Sequence, residues 1–175
     1  LVVLVADACG KGVSAAILIS IVSGELKSCL AGRLSPAAAL ARVNARLLAA
    51  ECDNKFVTLL MVVIDTQSGS LEVLNAGHFD PLLRRSDGTV VRLGADSRRL
   101  PLGIEADVGC SPTEERLAPG EALVLFSDGL ADAMNNENEC YRVERIVQAI
   151  ESSDHQDASS LVEYLIRDVR AFVGE

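Results

Sequence analysis

Leu1-Val2-Val3-Leu4-Val5-Ala6-Asp7-Ala8-Cys9-Gly10-Lys11-Gly12 is an apolar run that ends in one carboxylate, then small residues, then a lysine between two glycines. Leu123-Val124-Leu125-Phe126-Ser127-Asp128-Gly129 repeats that design downstream. Each stretch reads as a strand that delivers one aspartate at a tight exit. Leu1 to Ala6 shows no polar alternation, the pattern of a strand covered on both faces.

Working outward, the period becomes helical from Val13 to about Leu30. There Leu18, Ile21, Val22, Leu26, Cys29 and Leu30 share one face, and Gly32 is a stop. Ser35-Pro36 reads as an N-cap and first helical position. Leu40, Val43 and Leu47 then line a second helix to about Ala50, and a loop is expected at Asp53 and Asn54. Phe56 to Ile64 is the strongest strand, joined through Asp65-Thr66-Gln67-Ser68-Gly69 to a partner at Leu71 to Asn75. Ala76-Gly77-His78 breaks the pattern. Leu82 to Arg84 and Val90 to Leu93 form a hairpin about Asp87-Gly88. A loop is expected from Ala95 to Arg99 and a turn at Leu100-Pro101-Leu102-Gly103. A weak strand at Glu114 to Leu117 and a turn at Pro119-Gly120 precede a central strand at Ala122 to Phe126. Beyond a polar loop at Asn135 to Glu139, helices are expected at about Val143 to Ile150 and Ala158 to Phe172. The last carries Leu161, Leu165, Val169 and Phe172 on one face. Clustered strands between clustered helices indicate an α+β class, and the hairpins indicate antiparallel pairing. Strands buried on both faces are accommodated if two such sheets pack together under outer helices.

The 175 residues suffice for one domain with a core, and with four Phe, two Tyr and no Trp that core must be aliphatic. The net charge of −9, without a basic cluster, argues against nucleic acid. An anionic substrate would then need a few arginines or bound metal ions. Five cysteines, odd in number and without a CxxC pair, fit neither a disulfide framework nor a zinc site, so a reducing cytoplasm is expected. The apolar runs read as too short for a bilayer, so no membrane contact is expected. No signal peptide is visible, and the abrupt start reads as a piece of a longer chain.

A carboxylate at the end of a buried strand must be solvated, hydrogen-bonded or bound to a cation. Asp7 and Asp128 therefore either cap turns or helices, or serve a divalent, oxygen-loving metal. Small neighbours let a backbone carbonyl join as a ligand. Gly10-Lys11-Gly12 before a helix invites a phosphate-loop reading, but G-x-x-x-x-G-K-[ST] is not met: residue 5 is Val and residue 12 is Gly. His78 is either a base or ligand, or a hydrogen-bonded turn residue. Cys9 has no histidine beside it to make it a nucleophile.

Taken in order, several segments resemble the metal-dependent, PPM-type serine/threonine phosphatases in their bacterial SpoIIE/RsbU-like branch. They are Val5 to Gly12; Ser35-Pro36 with Leu40 and Asn44; Phe56-Val57-Thr58; Asn75-Ala76-Gly77-His78 with Pro81-Leu82-Leu83; Leu100 to Gly103; Pro119-Gly120-Glu121; and Phe126-Ser127-Asp128-Gly129. The resemblance implies one phosphatase domain over residues 1–175, a four-layer αββα sandwich of two antiparallel sheets flanked by helices. The family's first and last strands, with their Gly-Gly-Asp and Asp-Asp-x-Thr ligands, would lie outside it, truncating the fold at both ends.

It implies two Mn²⁺ or Mg²⁺ ions, with Asp7 bridging both, the Ala8 carbonyl on one and Asp128 on the other. Asp7 and Asp128 are thus the expected catalytic residues. Such a metal pair makes a nucleophile of water at neutral pH. The substrate would be phosphoserine or phosphothreonine on a bacterial regulator of the anti-sigma-factor-antagonist type. An upstream sensor or receiver domain would give the signal, and a homodimer is allowed. The alternative is an inactive member that binds a regulator without turnover. Three positions depart from the pattern: Cys9 replaces serine or threonine, Asp132 replaces glutamate, and Arg142 after Tyr141 replaces glycine.

Overall fold

A computed structural model describes residues 1–50, 55–94, 99–154 and 157–174. The expected loop at Asp53 and Asn54, and most of that at Ala95 to Arg99, lie outside the described residues, as does Cys52. The elements in chain order are β1 (Val2–Ala8), α1 (Val13–Ala31), α2 (Pro36–Ala49), β2 (Val57–Ile64), β3 (Ser70–Ala76), β4 (Leu82–Arg84), β5 (Val90–Arg92), β6 (Thr113–Arg116), β7 (Ala122–Val124), α3 (Asp128–Ala131), α4 (Arg142–Ser152) and α5 (Ala158–Val173). They form two antiparallel sheets with helices, the α+β class that the sequence predicts. The residues divide into two compact units: Leu1–His78 with Gly94–Arg116, and Phe79–Leu93 with Leu117–Glu175.

The first unit holds a four-stranded sheet in the order β1-β2-β3-β6. β2, the most apolar strand, sits inside it. Val57, Leu59 and Met61 point from one face of β2 into a core with Leu18, Val22, Leu26, Leu40, Val43 and Leu47 of α1 and α2. These are the helical faces expected from the periodicity. The other face carries Leu60 and Val62, with Leu71 and Val73 of β3, all buried.

β1 departs from the expectation of burial on both faces. It is an edge strand of the sheet, and Val2 and Leu4 are 40% and 39% exposed. α1 also departs: its 19 residues are long and apolar enough, by length and composition, to cross a membrane. Its helix nevertheless carries Glu25, Lys27 and the core residues Leu18, Val22, Leu26 and Cys29.

Two polar devices fix this unit. The Ser35 side chain accepts from the Ala38 N–H, capping α2 as predicted. Asn44, fully buried, donates to the carbonyls of Glu105 and Ala106 and accepts from the Gly103 N–H at 2.8 Å. Its amide thus ties the loop after Leu102 to α2 and leaves neither side-chain polar atom unmet.

The second unit holds a three-stranded sheet in the order β5-β4-β7. Leu82 and Leu83 are wholly buried in the middle strand. The expectation of a central strand from Ala122 to Phe126 is corrected: β7 ends at Val124 and lies at the sheet edge. Phe126 instead turns into the helical core, beside Phe79 and with Ile146, Ile150, Leu161 and Leu165. Glu121 of the Pro119-Gly120 turn accepts from the Ala118 N–H and pairs with Arg85.

Tyr141 is buried, donates to the Asp168 carboxylate of α5 and meets Phe172 edge-on. Burial, then the Asp168 contact, pushes its phenol above the ordinary value. The next residue, Arg142, has φ of 66°, a left-handed conformation that suits glycine. Here the departure from the family pattern has a physical consequence. A left-handed residue with a Cβ carries about 1–2 kcal/mol of strain, partly offset by the chain entropy that glycine would lose on folding. Arg142→Gly is expected to raise stability by about 0.5–1 kcal/mol, seen as a higher midpoint in urea. An unchanged midpoint would show that the arginine is not strained there.

Candidate active site

Asp7 stands next to last on β1, directly opposite Thr58 at the start of β2, and Ala8 stands opposite Val57. Directly opposed residues of an antiparallel pair lie on one face of the sheet. Asp7 and Thr58 therefore share the face away from α1 and α2, while Ala8 is buried in the core on the helix side. The Asp7 side chain is exposed, and among the described residues its carboxylate has no hydrogen-bonding or ionic partner. The turn-capping alternative thus gains no support at Asp7.

The chain then leaves the sheet through a fixed turn. The Cys9 N–H donates to the Phe56 carbonyl at 2.9 Å, and Gly12 caps α1 with φ 79° and ψ −153°. That backbone region is open only to glycine, although a side chain there would meet nothing within 4 Å. Gly12 is thus required by backbone conformation and not by crowding. Lys11 is exposed, as expected of a surface residue at a helix start. Cys9 is half-buried with a free thiol.

At the same end of the sheet, β3 gives way to Asn75-Ala76-Gly77-His78. Asn75 is 3% exposed and clamps the turn through both ends of its amide. Its Oδ1 accepts from the His78 N–H at 2.8 Å, and its Nδ2 donates to the His78 carbonyl at 3.1 Å. Gly77 has φ of 70° and packs on Pro101. The half-buried Cys110 thiol donates to the Asn75 carbonyl at 3.4 Å, and burial pushes that thiol's pKa up, which keeps its proton. His78 Nδ1 and Thr58 Oγ1 are hydrogen-bonded at 2.9 Å. Of the two sequence readings of His78, the structure realises the hydrogen-bonded turn histidine. Its link to Thr58 is not legible in the sequence, because it depends on the β2–β3 register.

Asp128 lies in the second unit and is exposed, without a side-chain partner among the described residues. It does not end a strand. It opens α3, a four-residue helical turn that the sequence reading leaves unassigned, with Ser127 at the N-cap position. Ser-Asp before Gly-Leu was the available signal: a cap residue, then an acid in the first turn. Asp132 ends that turn, its N–H donating to the Asp128 carbonyl at 2.7 Å. Asp7 and Ala8 are consecutive and rigidly placed on β1, whereas Asp128 belongs to another local structure. Among the described residues, no three His, Cys, Asp or Glu side chains gather as a metal-binding group.

Known proteins are similar to this chain in sequence and in fold. It is 28% identical over 131 residues to stage II sporulation protein E of Bacillus subtilis, covering 74% of this chain and 16% of that protein. It is 26% identical over 129 residues to the phosphoserine phosphatase RsbU of the same organism, covering 73% and 38% respectively. The chain thus spans well under half the length of either relative. The SiaA-PP2C domain of Pseudomonas aeruginosa has the same fold, with a TM-score of 0.84 and 20% identity over 99% of this chain and 70% of that one. The family model described as stage II sporulation protein E (SpoIIE) matches residues 1–175, end to end. The chain belongs to the SpoIIE family and carries the PP2C phosphatase fold.

Proposed function

We propose that this chain is a metal-dependent phosphatase that removes phosphate from phosphoserine or phosphothreonine on a regulatory protein. The reading rests first on Asp7, an exposed carboxylate next to last on β1, without a partner among the described residues, that precedes a glycine-only turn. Family membership over the whole chain and a relative named as a phosphoserine phosphatase support it. The donor chemistry fits Mn²⁺ or Mg²⁺: the carboxylates of Asp7 and Asp128 and the carbonyl of Ala8 are hard oxygen ligands. When bound, a pair of such ions supplies a nucleophile from water at neutral pH and offsets charge on the phosphoryl oxygens. They would also bring positive charge to a chain whose net charge is −9.

The chain's own part is positional. Pairing to β2 fixes Asp7, burial anchors Ala8, and Gly12 starts α1 five residues beyond that carboxylate. Residues 1–175 act on this reading as one phosphatase domain, the cytoplasmic output of a signalling protein. The substrate is of the anti-sigma-factor-antagonist type, and a sensor or receiver domain, or a second copy, exerts control. With Mn²⁺, the chain is expected to release phosphate from a phosphoserine peptide, and EDTA is expected to stop it.

A second reading, a regulator-binding module without turnover, is favoured by the lack of a cluster of three metal-ligating side chains among the described residues. Retention of a serine-phosphorylated regulator, with no phosphate released and no heat of Mn²⁺ binding, would establish that reading and remove the first.

A further inference from the structure

We propose that Thr58 and His78 are positioning residues that orient the Asp7 carboxylate, an inference that rests on the reading of Asp7 as a metal ligand. Thr58 is Asp7's direct cross-strand neighbour on the same face, which puts their Cβ atoms about 4.5–5.5 Å apart. A hydroxyl there can reach a carboxylate, provided its rotor is set. The Nδ1 atom of His78 sets it, 2.9 Å from Thr58 Oγ1.

The imidazole is in turn held by its own backbone. Asn75 bonds both the His78 N–H and the His78 carbonyl, and Gly77 is wedged on Pro101. Two buried or crowded residues are thus committed to placing one ring beside Thr58. With the proton on Nδ1, the ring donates to Thr58 Oγ1, and the Thr58 O–H is left free to turn to the Asp7 carboxylate, which has no hydrogen-bonding partner among the described residues. Partners of this kind fix the orientation of a ligating carboxylate, and their loss lowers metal affinity or activity about 10–100-fold.

The test uses the 175-residue chain and three readouts: Mn²⁺ affinity by calorimetry, phosphate release from a phosphoserine peptide, and thermal melting. Thr58→Val keeps the shape and removes the hydroxyl. It is expected to weaken Mn²⁺ binding and kcat/KM about 10–100-fold with little change in the melting temperature. His78→Gln is expected to do the same, and Thr58→Ser to restore both to within about threefold. A nitrogen-15 spectrum above the titration range of an ordinary histidine should show the His78 proton on Nδ1.

A proton on Nε2 alone would overturn the proposal, because Thr58 would then donate to the ring. So would Thr58→Val that lowers the melting temperature but binds Mn²⁺ like the parent chain. Asp7→Asn separates the two levels of inference. If it abolishes Mn²⁺ binding while Thr58→Val does not weaken it, only the positioning role fails. If Asp7→Asn leaves Mn²⁺ binding unchanged, the metal reading fails and takes this proposal with it.

Discussion

Asp7→Ala is expected to lower Mn²⁺-dependent phosphate release by about 1,000-fold or more, equivalent to about 4 kcal/mol of transition-state stabilisation, while the protein remains as stable as before. The two halves of that expectation have separate causes. On the proposed reading Asp7 would help to hold the metal ions, so its loss would take their charge and the water they activate from the reaction centre. Stability holds because the Asp7 side chain is exposed and has no partner among the described residues, so its truncation should change the folding free energy by about 0.5 kcal/mol at most. Metal alone should expose the same difference. A ligand at 100 times its Kd stabilises the folded state by about 2.7 kcal/mol, so Mn²⁺ should raise the melting temperature of the parent chain and not that of Asp7→Ala.

Asp128→Ala should behave alike although Asp128 lies in the other unit. On the proposed reading both aspartates serve the same metal ions, so the double variant should be little worse than either single one. Independent, multiplicative losses from the two substitutions would mean that Asp7 and Asp128 serve different steps. Full activity after either one would remove that residue from the site.

How much of this was legible before the structure depends on the range of the interactions. β2, the core faces of α1 and α2, and the hairpin turns follow from patterns spanning a few residues. The Asp65 turn closes as read, its carboxylate accepting from the Gln67 N–H and the Ser68 hydroxyl. β1 and β7 were misjudged for one shared reason: apolar composition reports what a strand could bury, and edge position decides what it does bury. The membrane length of α1 was missed because Glu25 and Lys27 break its apolar runs while leaving the helix apolar as a whole. At the candidate site, Asp7 stood out because a carboxylate interrupts a buried-type run. Thr58 did not, because only the register places it opposite Asp7. Asn44 reads as an ordinary polar residue in a helical pattern until its three partners, 59 to 62 positions away, are known.

Gly77→Ala tests the largest such long-range constraint, and a stability loss of about 2–5 kcal/mol is expected from two additive sources. A side chain at φ 70° is strained wherever it stands, at about 1–2 kcal/mol. The added Cβ would also lie 2.8 Å from three atoms of the Pro101 ring, an overlap of the kind that costs about 1–3 kcal/mol in a packed interior. Pro101 has little room to retreat, since the next residue, Leu102, is fully buried and exchanges both backbone hydrogen bonds with Val57, at 3.0 and 2.8 Å. For a domain of this size the melting temperature should fall by about 5–15 °C.

Pro101→Ala separates the two sources. Combined with Gly77→Ala it should recover the steric part and leave the backbone part, so the double variant should be more stable than the sum of the singles predicts. The turn also holds His78, so Gly77→Ala should weaken Mn²⁺ binding at temperatures where the chain is still folded. A loss below about 1 kcal/mol would mean that the Asn75–His78 turn can move off Pro101 at little cost, and a turn that yields so easily could not hold the imidazole against Thr58.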